Sequence, residues 1–246
     1  MTVRKRNLYK PNEEKPFKLS RSKVDNFINC KRCFYIDRKL GVSEPPGFPY
    51  NINSAVDELL KKEFDIFRKK GKPHPYMQET GKNLIPFQHN LLDEWRENFK
   101  GVQYFHEKTN FILTGAVDDL WFDLDTNEVI IVDYKSTSKD AEVTIDEDWQ
   151  SGYRRQMDFY QWLMRKNGFK VSDTGYFVYC NGDKSKPKFS NKITFKISVL
   201  EYNGNDSWVE NTILEIKKVL DNNSIPKGSQ DCKICSFVNS INEVTK

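Results

Sequence analysis

Residues 130–136 read IIVDYKS. The stretch opens as a run of apolar residues, the pattern of a strand covered on both faces. It then sets Asp133 and Lys135 two residues apart, and positions i and i+2 of a strand point to the same face. A strand end of this kind carries either a structural ion pair or a chemical site. The preceding strand contains GAVDDLW at residues 115–121, where Asp118 follows Gly115 and two apolar residues. A turn-like DTN at 125–127 joins the two segments, so they are expected to run antiparallel and bring Asp118 beside Asp133. Two converging carboxylates repel each other unless a cation lies between them. Mg²⁺ takes oxygen ligands, often only one or two carboxylates, and leaves the rest of its shell to water and substrate phosphate. A lysine beside such an ion can orient the attacking water and offset charge building on phosphorus. The pattern therefore suits phosphodiester hydrolysis. The plainer alternative is a surface hairpin closed by an Asp133–Lys135 ion pair.

Working outward, LSRSKVDNFINCKRCFYIDRKLG at 19–41 reads as a helix, stopped by Gly41 and the proline-rich EPPGFP. NSAVDELLKKEFDIFRKKG at 53–71 is the clearest amphipathic helix, with Val56, Leu59, Leu60, Phe64 and Phe67 on one stripe and Gly71 as its stop. FQHNLLDEWRENF at 87–99 reads as a further helix. Strands are expected at 102–108, at 111–124 and at 128–136, then a helix over 149–168. Two more strands follow (174–181 and 192–202), and a closing helix covers 206–222. The order of elements predicts an α/β fold with a mixed sheet flanked by helices. Residues 1–18 read as a basic irregular arm, and 19–246 as one domain. His74, His89 and His106 carry no ligand spacing, and Cys180 lies in an apolar run that predicts core.

The chain has 246 residues, 37% hydrophobic, 30% charged and 13% aromatic, enough to build a sizeable core and too aromatic for a disordered chain. No apolar run approaches a membrane span, and the N-terminus lacks the apolar core of a signal peptide. A cytoplasmic protein without membrane association is expected. The net charge of +4, from 39 basic and 35 acidic residues, permits nucleic-acid binding without requiring it. Five cysteines in such a chain argue against a disulfide framework. Four of them form two short pairs, Cys30-x-x-Cys33 and Cys232-x-x-Cys235, an adequate ligand set for zinc or for an iron–sulfur cluster. The competing reading is four reduced thiols that fill space.

In order and spacing these stretches resemble the PD-(D/E)XK nuclease superfamily in its RecB-like branch, which includes the nuclease domains of RecB and AddB and the CRISPR-associated RecB-like exonucleases. Residues 19–41 are similar to the opening Ser-x-Ser helix with its cysteine and aromatic residues. NSAVDELL resembles the helix that usually reads Gly-x-x-x-His-Glu. GAVD matches Gly-x-(Ile/Val)-Asp, VDYKS matches Asp-x-Lys, and QMDFY matches Gln-x-x-x-Tyr through Gln156 and Tyr160. The resemblance implies a restriction-endonuclease-like core with a helical N-terminal part and a cysteine-bearing C-terminal tail. It implies a nuclease of exonuclease-like type using Mg²⁺ or Mn²⁺, acting on single-stranded DNA or duplex ends in processing, repair or recombination. Asp118 and Asp133 would ligate the metal together with the Tyr134 carbonyl. Lys135 would serve the water and the transition state, and Gln156 and Tyr160 would support the site or contact DNA.

Two departures stand out. The family's helix histidine falls on Asp57, an oxygen ligand suited to a hard cation, with Glu63 as a rival third carboxylate. Iron–sulfur members carry one N-terminal and three C-terminal cysteines. Here Cys30 matches the first, and Cys232 and Cys235 match two of the last three. Ile241 stands where the final cysteine is expected, and Cys33 is additional. The resemblance favours a cluster, whereas the symmetry of the two pairs and the missing last cysteine favour zinc; an iron–sulfur cluster is the expectation, with zinc as the alternative. The alternatives in function are a catalytically degenerate DNA-binding accessory subunit and a tetrathiolate metal-binding scaffold without catalysis.

Overall fold

The computed structural model describes residues 4–45, 47 and 51–245. The chain runs through β1 (Phe17–Ser20), α1 (Arg21–Asn29), α2 (Lys31–Tyr35) and a π-helical turn (Ile36–Leu40). Next come α3 (Asn51–Lys70), α4 (Pro75–Gln78), β2 (Leu84–Pro86), α5 (Leu92–Trp95) and β3 (Val102–His106). The strands β4 (Phe111–Gly115), β5 (Asp119–Asp123) and β6 (Glu128–Thr137) follow, then α6 (Ser151–Lys166), β7 (Thr174–Gly182) and β8 (Phe195–Asn203). The chain closes with α7 (Ser207–Asp221) and α8 (Lys233–Val244). It packs as two compact units, one made of residues 1–47, 103–114 and 207–246, the other of 48–102 and 115–206.

The first unit holds a three-stranded sheet in the order β1-β4-β3, with β1 and β4 parallel. Helix α7 buries Val209, Ile213, Ile216 and Leu220 at helical spacing and packs against α1 and α2. Residues 4–16 form no helix or strand, yet Tyr9 is buried edge-on against Phe17 and Phe111. Its hydroxyl donates to Asp221 and accepts from Lys217. The expected single helix over 19–41 is instead a strand end, two helices and a π turn. The break falls at Cys30, whose backbone is extended at φ −159°. Its N–H closes α1 on Asn26 while its carbonyl opens α2 by accepting from Phe34.

The second unit is a five-stranded mixed sheet in the order β2-β5-β6-β7-β8, with β6 and β7 parallel and the other pairs antiparallel. This is a mixed α/β fold with helices flanking the sheet, consistent with a restriction-endonuclease-like core. Helix α3 packs on β2 and β6, and Leu60 and Phe64 join Met77, Leu84, Trp121, Ile130, Val132 and Tyr134 in one apolar cluster. The expected stripe on α3 is narrower than its spacing suggests: Leu59 is 63% exposed, and the helix buries Leu60, Phe64 and Arg68. Arg68 is buried because its guanidinium bonds Asp65, Asp119 and the Phe87 carbonyl. Helix α6 buries Met157, Phe159, Tyr160, Leu163 and Met164 and packs on β6. Cys180 is buried in β7, as the apolar run predicts.

Two sequence expectations fail here for one reason. The helix expected over 87–99 is reduced to Leu92–Trp95, because carbonyls that would extend it are taken by other partners. Glu94 accepts from Gly101 N–H at 3.2 Å, and Trp95 accepts from Val117 N–H at 3.1 Å. The strand expected over 111–124 is cut at the same place, so β4 ends at Gly115 and β5 begins at Asp119. Gly101 allows this packing. Its φ is +65°, and a Cβ there would lie 2.5 Å from the Gly115 carbonyl oxygen. Gly101→Ala is therefore expected to cost roughly 2 kcal/mol or more of stability. Thermal unfolding measures it, and an unchanged melting point would mean that the two backbones can separate freely.

Candidate active site

The cut between β4 and β5 leaves Asp118 just before an antiparallel pairing in which Asp119 faces Val132. The Tyr134 N–H donates to Asp118 Oδ2 at 2.9 Å, so the carboxylate is held against the end of β6. Asp133 and Lys135 share the other face of β6, and their charged groups are in direct contact. Gln156 of α6 donates to Asp133 Oδ1 at 2.6 Å, and its amide also lies 3.4 Å from the Tyr160 hydroxyl. Asp57 of α3 accepts from Lys61 at 2.7 Å, and the same ammonium lies 3.9 Å from Asp118. The sheet ends and α3 thus gather Asp57, Asp118, Asp133 and Lys135, with Gln156 and Tyr160 behind them. Glu63, the rival third carboxylate, is half exposed and bonds His74 at 3.1 Å, away from this group. Of the other histidines, His106 bonds Thr109 and Glu210, and His89 stacks on Trp95.

The electrostatics follow from crowding. Burial pushes the Asp133 carboxyl up; Lys135 opposes this and Asp118 adds to it, leaving Asp133 raised to about 7. Burial and then the Asp118 charge also raise Asp57, against the pull of Lys61. Burial would lower Lys135, but the charges of Asp133 and Asp118 outweigh it and raise its pKa. One oxygen, Asp57 Oδ1, is buried with no hydrogen-bond partner among the described residues. Two carboxylates raised by burial and by neighbouring charge, with an acceptor left unused, fit a small divalent cation.

Three participants lie outside the sequence expectations. Lys61 bridges Asp57 and Asp118, one turn along α3 from Asp57. Tyr153 lies under Lys135, with the ammonium 4.7 Å from its ring centroid. Asp119 is fully buried and accepts from Arg68, Arg96 and its neighbour's N–H on one oxygen and from the Tyr134 hydroxyl at 2.7 Å on the other. That network pins β5 and β6 on either side of Asp118. The acidic pair Asp118–Asp119 was the signal for Asp119. A spacing of three before Gln156 was the signal for Tyr153.

The four paired cysteines meet in the first unit, and their sulfurs lie within 4.8 Å of one another. Each pair has the same construction. Cys30 and Cys232 are extended residues preceding α2 and α8, and Cys33 and Cys235 follow in the first turns. Sulfur separations are 3.7 Å for Cys30–Cys235 and 3.6 Å for both Cys33–Cys232 and Cys33–Cys235. Burial pushes the Cys30 thiol up, but backbone bonds at Ser229 and Cys33 and the neighbouring thiols outweigh it and hold Cys30 at about 6. Cys33 and Cys235 are raised, first by burial. A compact set of soft donors, one of them readily ionised, fits a metal ion. Ile241 lies further along α8, 42% exposed.

The mixed sheet flanked by helices makes this an α/β protein whose fold is consistent with a restriction-endonuclease-like core. The chain belongs to the PD-(D/E)XK nuclease superfamily, whose family model matches residues 18–240. It is also similar to the solved structure described as "Crystal structure of SSO0001", at 14% identity and a TM-score of 0.40, over 94% of this chain and 87% of that one. No curated protein matches the chain. No helix among the described residues is long and apolar enough to cross a membrane.

Proposed function

We propose that the protein is a DNA nuclease of the RecB-like type, hydrolysing phosphodiester bonds with Mg²⁺ or Mn²⁺ held by Asp57, Asp118, Asp133 and the Tyr134 carbonyl. The observation that supports this most is the meeting of Asp118, Asp133 and Lys135 at one strand end, with Gln156 bonded to Asp133. When bound, the cation supplies charge neutralisation for the phosphate and activation of water. Lys135, held in place by Asp133 and the Tyr153 ring, positions the attacking water and offsets the charge that develops on the phosphoryl oxygens. Gln156 fixes the Asp133 carboxylate, and Tyr160 supports Gln156 from one turn further along α6. The direct test is incubation of end-labelled single- and double-stranded DNA with Mn²⁺, beside Lys135→Ala. Wild-type protein that leaves all substrates intact would instead fit a degenerate accessory subunit.

The third carboxylate has its own test. Asp57→Asn is expected to weaken Mn²⁺ binding by roughly tenfold or more. Glu63→Gln, which disturbs only the His74 contact, is expected to leave it unchanged. Lys61→Met removes the ammonium that now neutralises Asp57 and Asp118, so Mn²⁺ binding should tighten. Calorimetric titration reads all three, and weaker binding in Lys61→Met would mean that Lys61 supports the site rather than competing for it.

For the cysteines, the spacing supports a single tetrahedral ion, zinc foremost, over an iron–sulfur cluster. A Zn–S bond of about 2.3 Å places tetrahedral sulfurs ~3.8 Å apart, close to the separations of 3.6 and 3.7 Å. In a cubane each thiolate binds a different iron, which spreads the sulfurs much further.

A further inference from the structure

Gln156 and Tyr160 continue upstream as a stripe. Trp149, Tyr153, Gln156 and Tyr160 are spaced by four, three and four residues, the spacing of one helix face. Trp149 lies in the 3-10 turn Asp148–Gln150 that leads into α6. Its ring stands edge-on to Tyr153 with centroids 5.8 Å apart, and Tyr153 in turn lies under Lys135. The stripe therefore runs without a gap from Asp133 to an indole that is 60% exposed. Trp95, Trp121 and Trp162 are all buried, so exposure is not general to the tryptophans of this chain.

What the indole offers is its face. Its N–H already donates to Glu147, which removes the one hydrogen-bonding group that could read a base edge. Lys139 lies 5.7 Å from the ring centroid and supplies a cation at the same rim. A ring that can stack but cannot read edges, with the Lys139 ammonium at its rim, suits sequence-tolerant binding of unpaired bases. Paired bases inside a duplex have their faces covered by their neighbours.

We propose that Trp149 is a stacking platform for the unpaired bases of single-stranded DNA bound at this site. The proposal rests on the nuclease reading above, but its test is equilibrium binding and does not depend on turnover. Fluorescein-labelled twelve-residue oligo(dT) and a duplex of the same length are titrated with full-length protein in Ca²⁺, with fluorescence anisotropy as the readout. Trp149→Ala is expected to weaken oligo(dT) binding by about tenfold or more, with duplex binding changed less than about twofold. Trp149→Phe, which keeps an aromatic face, should bind oligo(dT) nearly as wild type does. Unlabelled oligo(dT) should also quench tryptophan emission in the wild type, and Trp149→Phe should lose that quenching. Wild-type affinity for oligo(dT) in Trp149→Ala overturns the platform, as does an equal loss on both DNAs. Cleavage by the wild type without the quenching defeats the platform and leaves the nuclease standing. Quenching by a protein that cuts nothing keeps the platform and defeats the nuclease.

Discussion

Lys135→Ala is expected to lower DNA cleavage by about 10²-fold or more, the loss that follows removal of one transition-state stabiliser. The side chain leaves a defined gap. Its ammonium is the cation in contact with Asp133, and it lies over the Tyr153 ring. Under the nuclease proposal, the water and the developing phosphoryl charge then lose the ammonium that stands beside Asp133. Asp118→Ala and Asp133→Ala are expected to abolish cleavage outright, because each removes one of the four proposed oxygen donors. DNA binding should survive in all three variants, since phosphate contacts outside the site supply most of the affinity. Cleavage and binding are measured on the same labelled DNA. A Lys135→Ala protein that cuts at the wild-type rate would remove this site from the chemistry.

The second large effect lies in the cysteine centre. Purified protein is expected to carry close to one equivalent of zinc and to be colourless. A ligand present at about a thousand times its dissociation constant stabilises the folded state by roughly 4 kcal/mol. At ~2–4 °C per kcal/mol for a chain of this size, Cys232→Ser or removal of the metal should lower the melting temperature by about 10 °C. Elemental analysis and thermal unfolding decide the matter together. A brown protein with visible absorption would restore the iron–sulfur cluster, and a metal-free wild type that melts as Cys232→Ser does would reduce the four thiols to packing.

The parts of the fold that were legible in the sequence are those in which local pattern and tertiary packing agree. IIVDYKS is apolar enough to be a central strand, and its Asp-x-Lys end falls on one face as the two-residue period requires. Helices α3, α6 and α7 carry long apolar stripes and appear where their spacing puts them. The misreadings occur where a distant group takes a backbone partner. Val117 and Gly101 claim the carbonyls that would have lengthened α5, and the close approach of Gly101 to Gly115 cuts a strand that looks continuous. No window of neighbouring residues contains that information. Lys61 was hidden for a similar reason, since its role depends on Asp118 approaching α3. Helix α8 buries Cys235 alone among its residues, so no core-facing apolar stripe announces it in the sequence.

The discontinuity of the first unit has a consequence for synthesis. Cys30 and Cys33 are made first, and Cys232 follows 199 residues after Cys33. At about 5–20 residues per second, the first thiol pair waits roughly 10–40 s for its partners. Residues 115–206, which carry most of the five-stranded sheet, emerge within that interval and can collapse first. The nascent N-terminal pair is meanwhile open to oxidation or to a stray metal ion. Under the proposal of a metal at the four thiols, the centre closes only after the strands of residues 115–206 have been made, and a shortage of metal would show first in newly made chains rather than in those already folded.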